Sequence, residues 1–264
     1  MRKGVAMNYS TVPHKREKQT MIYITGDTHG DLGRFKHPMF RKIKKRDTLI
    51  ICGDFGFIWD GSKREKRILK WLGKRRYDVL FVDGVHENFD ELERYPLEEW
   101  SGGETRKISG KLRLLMRGNV FQIGDKKILA FGGGDRDDAG DTGDDEILNT
   151  DSSNSSDNTH KCVPSPEDFE TAMKSLEEAE NEIDYIISYE PPTMITEFLA
   201  LNQKHISTSD NLSYYLDEIN RKANYKRWFF GRHHIDKVIP PKYFSLFSNV
   251  INAEYNPTGL KNKI

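Results

Sequence analysis

The sequence predicts an α/β fold of two sheets with helices on their outer faces. Three observations predict it. Short apolar runs of strand length alternate with amphipathic stretches early in the chain, a meander of short strands with tight turns follows, and helix–strand alternation then returns. At 264 residues the chain suits one such domain with insertions.

Residues 1–20 carry a basic cluster, one Pro and no periodic apolar pattern, so they read as a disordered basic extension before a domain spanning 21–264. The first strand is 21–25 (MIYIT). Strands at 48–52 (TLIIC) and 79–82 (VLFV) follow, separated by helices at 35–45 and 63–74. In the second helix Ile68, Leu69 and Leu72 share a face while Lys63, Arg64, Lys66, Arg67 and Lys70 cluster elsewhere, so this basic run reads as solvated helix surface. Between 104 and 131 short strands at 120–123 and 128–131 flank a Gly124-Asp125 turn, a meander assigned to a second sheet. A helix at 166–179, a strand at 183–188, a helix around 212–219, a strand at 227–230 and a β-rich end complete the order.

Residues 135–161 are acidic, rich in Ser and Asn and nearly free of apolar side chains, which predicts an exposed, mobile loop. Asp135, Asp137, Gly140, Asp141 and Glu146 fall at calcium-loop positions. Ala139 and Thr142 break that pattern, and a Gly-rich strand end rather than a helix precedes it.

Lys plus Arg number 41 and Asp plus Glu number 41, so no global charge draws the chain to nucleic acid or to a membrane surface. No apolar run approaches the roughly 18 residues of a membrane span. Two cysteines make no disulfide framework and no apolar leader opens the sequence, which predicts a cytoplasmic protein.

The chemically informative residues follow predicted strands, where an open α/β sheet presents ligands. Gly26-Asp27-Thr28-His29-Gly30 places an acid and an imidazole two apart in a glycine-flanked turn, a mixed oxygen and nitrogen set for one cation. Gly53-Asp54 follows the second strand and Asp83-Gly84-Val85-His86-Glu87-Asn88 the third. Tyr189-Glu190 and Gly231-Arg232-His233-His234 follow two later strands. Singly, each is more simply a turn former or helix cap; five strand ends converging on one rim argue for a site. Cys52, Trp59, Trp71, Trp100 and Trp228 read as core or rim packing.

In order, these residues resemble the motifs of the calcineurin-like metallophosphoesterases: D-x-H, G-D, G-N-H-E/D, a His-containing turn and G-H-x-H. The resemblance runs from Met21 to near the end of the chain. It implies a four-layer α/β/β/α sandwich with mixed sheets, and a metal centre at which hydroxide attacks a phosphoester in line. Carried over, Asp27, His29, Asp54 and His234 match the ligands of a first metal, Asp54 also in the bridging position. His86 matches the residue that protonates the leaving group. Phe57 stands where related phosphatases have an Asp supporting that His, which leaves Asp60 as a candidate partner.

Three positions depart from the pattern, and all belong to the second metal alone: Val85, Tyr189 and Arg232. Valine has no donor atom, a neutral tyrosine is a poor ligand, and arginine repels a cation. The resemblance then implies a phosphomonoesterase or phosphodiesterase with one divalent ion, Mn, Fe or Zn. Arg232 takes the place of the second cation and, with His233, contacts a phosphorylated substrate of unidentified kind. Replacement of the missing ligands by His233 or Glu190 stays open, as does the alternative of a catalytically inactive binding or regulatory protein on the same fold.

Overall fold

The computed structural model describes residues 20–135, 160–201 and 210–256. Among these residues thirteen strands form two mixed sheets. In the first, β1 (Ile22–Thr25), β2 (Thr48–Cys52), β3 (Asp78–Val82) and β6 (Leu112–Leu115) run parallel. Antiparallel β5 (Gly103–Ser109) and β4 (Leu97–Trp100) extend one edge, and β13 (Val250–Asn252) pairs antiparallel with β1 at the other. The second sheet runs in the order β11 (Lys237–Ile239), β12 (Tyr243–Ser245), β10 (Asn224–Phe230), β9 (Glu182–Ser188), β8 (Lys126–Phe131) and β7 (Val120–Ile123).

Side-chain alternation along the strands makes the layers. Ile50 and Cys52 of β2 face the second sheet, in a core shared with Leu80, Val82, Ile187 and Phe229, whereas Leu49 and Ile51 face outward onto Leu69 and Leu72 of helix α1 (Lys63–Gly73). On the far side Ile186, Trp228 and Phe230 pack under helices α3 (Pro166–Glu178), α4 (Thr193–Ala200) and α5 (Asp210–Lys222). Three apolar layers between four layers of backbone make the expected α/β/β/α sandwich. No helix among the described residues is long and apolar enough to cross a membrane.

Local chemistry sets the element ends. Ser62 accepts the Glu65 amide at 3.1 Å to start α1, and a reciprocal capping box of Ser165 and Asp168 starts α3. A short helix α2 (Phe89–Glu93) begins at Asn88, whose side chain accepts the Glu91 amide. The helix expected at 35–45 is instead two 3-10 turns, Arg34–Lys36 and Pro38–Arg41. Pro38 lacks an amide donor and holds His37 extended (ψ 137°), which interrupts any continuous helix. The meander also differs: β5 and β6 join the first sheet while β7 and β8 join the second, because β6 pairs in parallel with β3. Most of the basic extension and of the acidic segment, with four of its five calcium-loop residues, lies outside the described residues.

Candidate metal centre

Asp27 and Asp54 sit just past β1 and β2 with no solvent exposure, and Arg232, His233 and His234 lie just past β10 of the opposite sheet. The turns interlock. The amides of Thr28 and His29 both donate to the Asp54 carbonyl, at 3.1 and 2.9 Å, so the first two motifs position each other. A Cβ at Gly231 would stand 2.0 Å from Asp27 Oδ1, so only glycine lets β10 approach this closely. Four of the seven non-glycine residues with positive φ among the described residues are His29, Asp54, Arg232 and His234. Backbone strain concentrated in this way is a mark of functional sites.

The side chains gather into two overlapping groups. His29 Nε2 and His234 Nε2 are 2.9 Å apart, and Asp27 Oδ2 lies 3.9 and 3.3 Å from them. In the second group, Asp54 and His86 join His29. Each group sets its ligand atoms within 4.8 Å of one another, close enough to hold a metal ion. Burial raises the Asp27 carboxyl, against the hydrogen bond from His234. Burial also acts to raise Asp54, but the His86 hydrogen bond and the charges of His86 and His29 hold it down at about 2.

Asp54 is the orienting partner of His86, with Nδ1 2.9 Å from Oδ2 and the His86 amide 2.8 Å from Oδ1. Asp60 turns instead to the Ser62 amide at 2.8 Å and does not support His86. Glu87 accepts the Phe55 and Gly56 amides and so ties down the loop beyond Asp54. Asp83, expected at the rim, is diverted into an ion pair with Arg117.

The three departing positions form a packed unit. The Tyr189 ring is clamped between Gly53 and Gly134, where a Cβ would come within 2.1 and 2.7 Å of it, and Val85 is buried alongside. The Tyr189 hydroxyl donates to Asp54 Oδ2 at 2.9 Å, and burial pushes its pKa well above the ordinary value, so it remains a neutral donor. Arg232 sends Nε to Glu190 at 3.1 Å and lies 5.7 Å from the Tyr189 ring centroid. Burial lifts the Glu190 carboxyl to about 7 despite Arg232. His233 packs edge-on against Phe230, and burial, with Arg232 and His234, pushes its imidazole down to about 4. Neither Glu190 nor His233 belongs to the two ligand groups.

A family model for calcineurin-like phosphoesterases matches residues 20–238. The chain belongs to that family. A search of curated proteins finds no match. The calcineurin-like phosphoesterase match ends before a support that sequence reasoning missed. The Phe247 ring stacks on His234 at 4.7 Å, and Asp236 accepts the Phe247 amide at 2.8 Å. Arg34 covers the same ring at 5.2 Å and donates to the Phe247 carbonyl. No motif spacing signals this platform; the cue is an aromatic residue between the short strands β12 and β13.

Proposed function

We propose that this calcineurin-like phosphoesterase hydrolyses a phosphomonoester or phosphodiester, using one divalent ion held by Asp27, His29 and His234, with Asp54, which here groups with His29 and His86 instead, turning in as the fourth ligand. The observation that carries this reading is the approach of two imidazole nitrogens to 2.9 Å beside a buried carboxylate. Such a mixed donor set fits Mn, Fe or Zn. A bound divalent ion would supply Lewis-acid polarisation of the phosphoryl group.

The chain's own residues supply the rest. Arg232 carries a fixed charge where the family has a second cation; Glu190, the Tyr189 hydroxyl at 3.4 Å and the Asp135 carbonyl at 3.3 Å hold its guanidinium in place, and its charge would attract phosphoryl oxygens. With Nδ1 turned to Asp54, His86 would, as an imidazolium, give its Nε2 proton to the leaving oxygen. His233, neutral and beside Arg232, completes the substrate side of the site.

The second reading, an inactive binding or regulatory protein, draws on the same carboxylate. Both oxygens of Asp54 are already engaged by His86 and Tyr189. Native mass spectrometry of metal-stripped protein titrated with Mn²⁺, together with turnover of a chromogenic phosphodiester, separates the two. One ion per chain, lost in Asp27→Asn, and turnover lost in Asp54→Asn support the enzyme. No ion at millimolar Mn²⁺, with equal background rates in both proteins, overturns it.

A further inference from the structure

Away from the metal centre, a groove of about 940 Å³ opens between the 3-10 turns after His29 and the C-terminal end of α1. Phe35, Phe40 and Tyr77 form its buried floor, and Trp71 stands in its wall with 45% of its surface exposed. Six cations line it, Lys36, Arg41, Arg67, Lys74, Arg75 and Arg76, and among the described residues no acidic one does. Among the described residues none of the six is in an ion pair.

Neutrality of the whole chain hides this face. Residues 34–76 hold fifteen Lys and Arg against four Asp and Glu, a surplus of eleven positive charges. Of those four acids, Asp47, Asp54 and Glu65 are buried. The run read from sequence as solvated helix surface therefore contributes Arg67, and the residues just beyond α1 contribute Lys74, Arg75 and Arg76, to a concave wall.

The lining also has a stacking element. The Arg75 guanidinium lies 3.5 Å from the Trp71 ring centroid, and Phe35 meets the Trp71 ring edge-on at 6.2 Å. Arg75 Nε and the Tyr77 hydroxyl are buried without a hydrogen-bond partner among the described residues. Arg76 is held in place by the carbonyls of Ile43 and Arg41, both at 2.7 Å, which fixes one rim.

We infer that this groove binds single-stranded nucleic acid, its phosphates on the lysines and arginines and a base on the Trp71–Arg75 stack. Repeated negative charge alone would also suit an acidic polypeptide, but the exposed indole and the stacked guanidinium call for planar faces that a carboxylate chain lacks. The inference goes beyond the proposed activity and concerns binding only, so it stands or falls independently of turnover at the metal centre.

The test is fluorescence anisotropy of a labelled dT12 strand with the full chain in EDTA. Saturable binding is expected, with log K falling against log salt by about 0.7 per phosphate contacted. Trp71→Ala should weaken it by about fivefold or more, and Trp71→Phe should restore most of the loss. Lys74→Glu with Arg75→Glu should weaken it by more than tenfold, whereas Lys66→Glu with Lys70→Glu, the same charge change outside the groove, should shift it less than about threefold. An abasic 12-mer should bind more weakly than dT12. Circular dichroism melts check that each variant folds. If a groove variant does not fold, the abasic comparison and competition by polyglutamate decide. No binding at 50 mM salt, equal loss in the two charge-reversal pairs, or an equal grip on the abasic strand or polyglutamate would overturn the inference. A protein that fails here yet turns over a chromogenic phosphodiester would leave the phosphoesterase reading intact.

Discussion

His29 and His234, 205 positions apart in sequence, face each other Nε2 to Nε2 at 2.9 Å in a T-shaped pair. Two imidazole nitrogens at this distance need either a shared proton or a common cation between them. Neither residue reaches the pair alone: His29 follows β1 of one sheet and His234 follows β10 of the other. The centre therefore exists only where the two sheets abut at the ends of their strands.

A ligand that binds only the folded state raises stability, by about 2.7 kcal/mol at a hundred times its Kd. For a domain of this size, Mn²⁺ at that excess should raise Tm by roughly 5–10 °C. His234→Ala should remove the shift, and EDTA should reverse it in the wild type. Differential scanning fluorimetry reads all three, and a Tm indifferent to Mn²⁺ would show that the pair shares a proton instead.

Tyr189 fits because Gly53 has no side chain. At φ 107° an alanine at position 53 would be strained, and its Cβ would lie 2.1 Å from Tyr189 Cδ2. Gly53→Ala should destabilise the protein by about 2–4 kcal/mol. The second substitution Tyr189→Ala relieves the clash but not the backbone strain, so in urea melts Gly53→Ala should cost less in the Tyr189→Ala background than alone. Equal losses in both backgrounds would show that the ring is not clamped.

Much of this architecture is written in local pattern. The strands at 48–52 and 183–188 stand out because both faces of each are buried, which leaves apolar runs bounded by Gly or polar residues. Asp27, His29, Asp54 and His234 stand out because each follows such a run in a glycine-marked turn. What escaped depends on partners distant in sequence. Alternation cannot tell which sheet β5 or β7 joins, and the helix expected at 35–45 fails at Pro38. Asp54 as the partner of His86, and Phe247 beneath His234, come from packing across the sheets. The basic groove vanished into a zero net charge.

Glu190 and His233 give opposing pH signatures, best measured in EDTA. Glu190 is raised in the folded state from 4.5 to about 7, so between those values the folded chain binds more protons and stability falls as pH rises. His233 is depressed from 6.5 to about 4, so across that window the unfolded chain binds more protons and stability rises with pH. Each contribution amounts to about 3 kcal/mol at most, and the windows overlap. Relative to the wild type, Glu190→Gln should make stability climb more steeply from pH 4.5 to 7, and His233→Gln should make it fall more from pH 4 to 6.5. Urea unfolding across pH 4 to 8 checks the signs, and parallel profiles in all three proteins would exclude both shifts.

The unit of Val85, Tyr189 and Arg232 gives the sharpest prediction, because its three parts remove donors in different ways. Val85 offers an apolar side chain, Tyr189 a neutral hydroxyl already given to Asp54, and Arg232 a cation neutralised in part by Glu190. Replacing one of them leaves the other two obstacles, so Arg232→His alone should bind no additional ion. The triple variant Val85→Asn, Tyr189→His and Arg232→His presents two imidazoles and an amide in place of these side chains, and also removes one of the two hydrogen bonds that now engage Asp54 Oδ2. Native mass spectrometry with Mn²⁺ should then show one more ion per chain than the wild type. If the triple variant folds and gains none, these three side chains do not surround one site, and Arg232 does not stand where a second cation would.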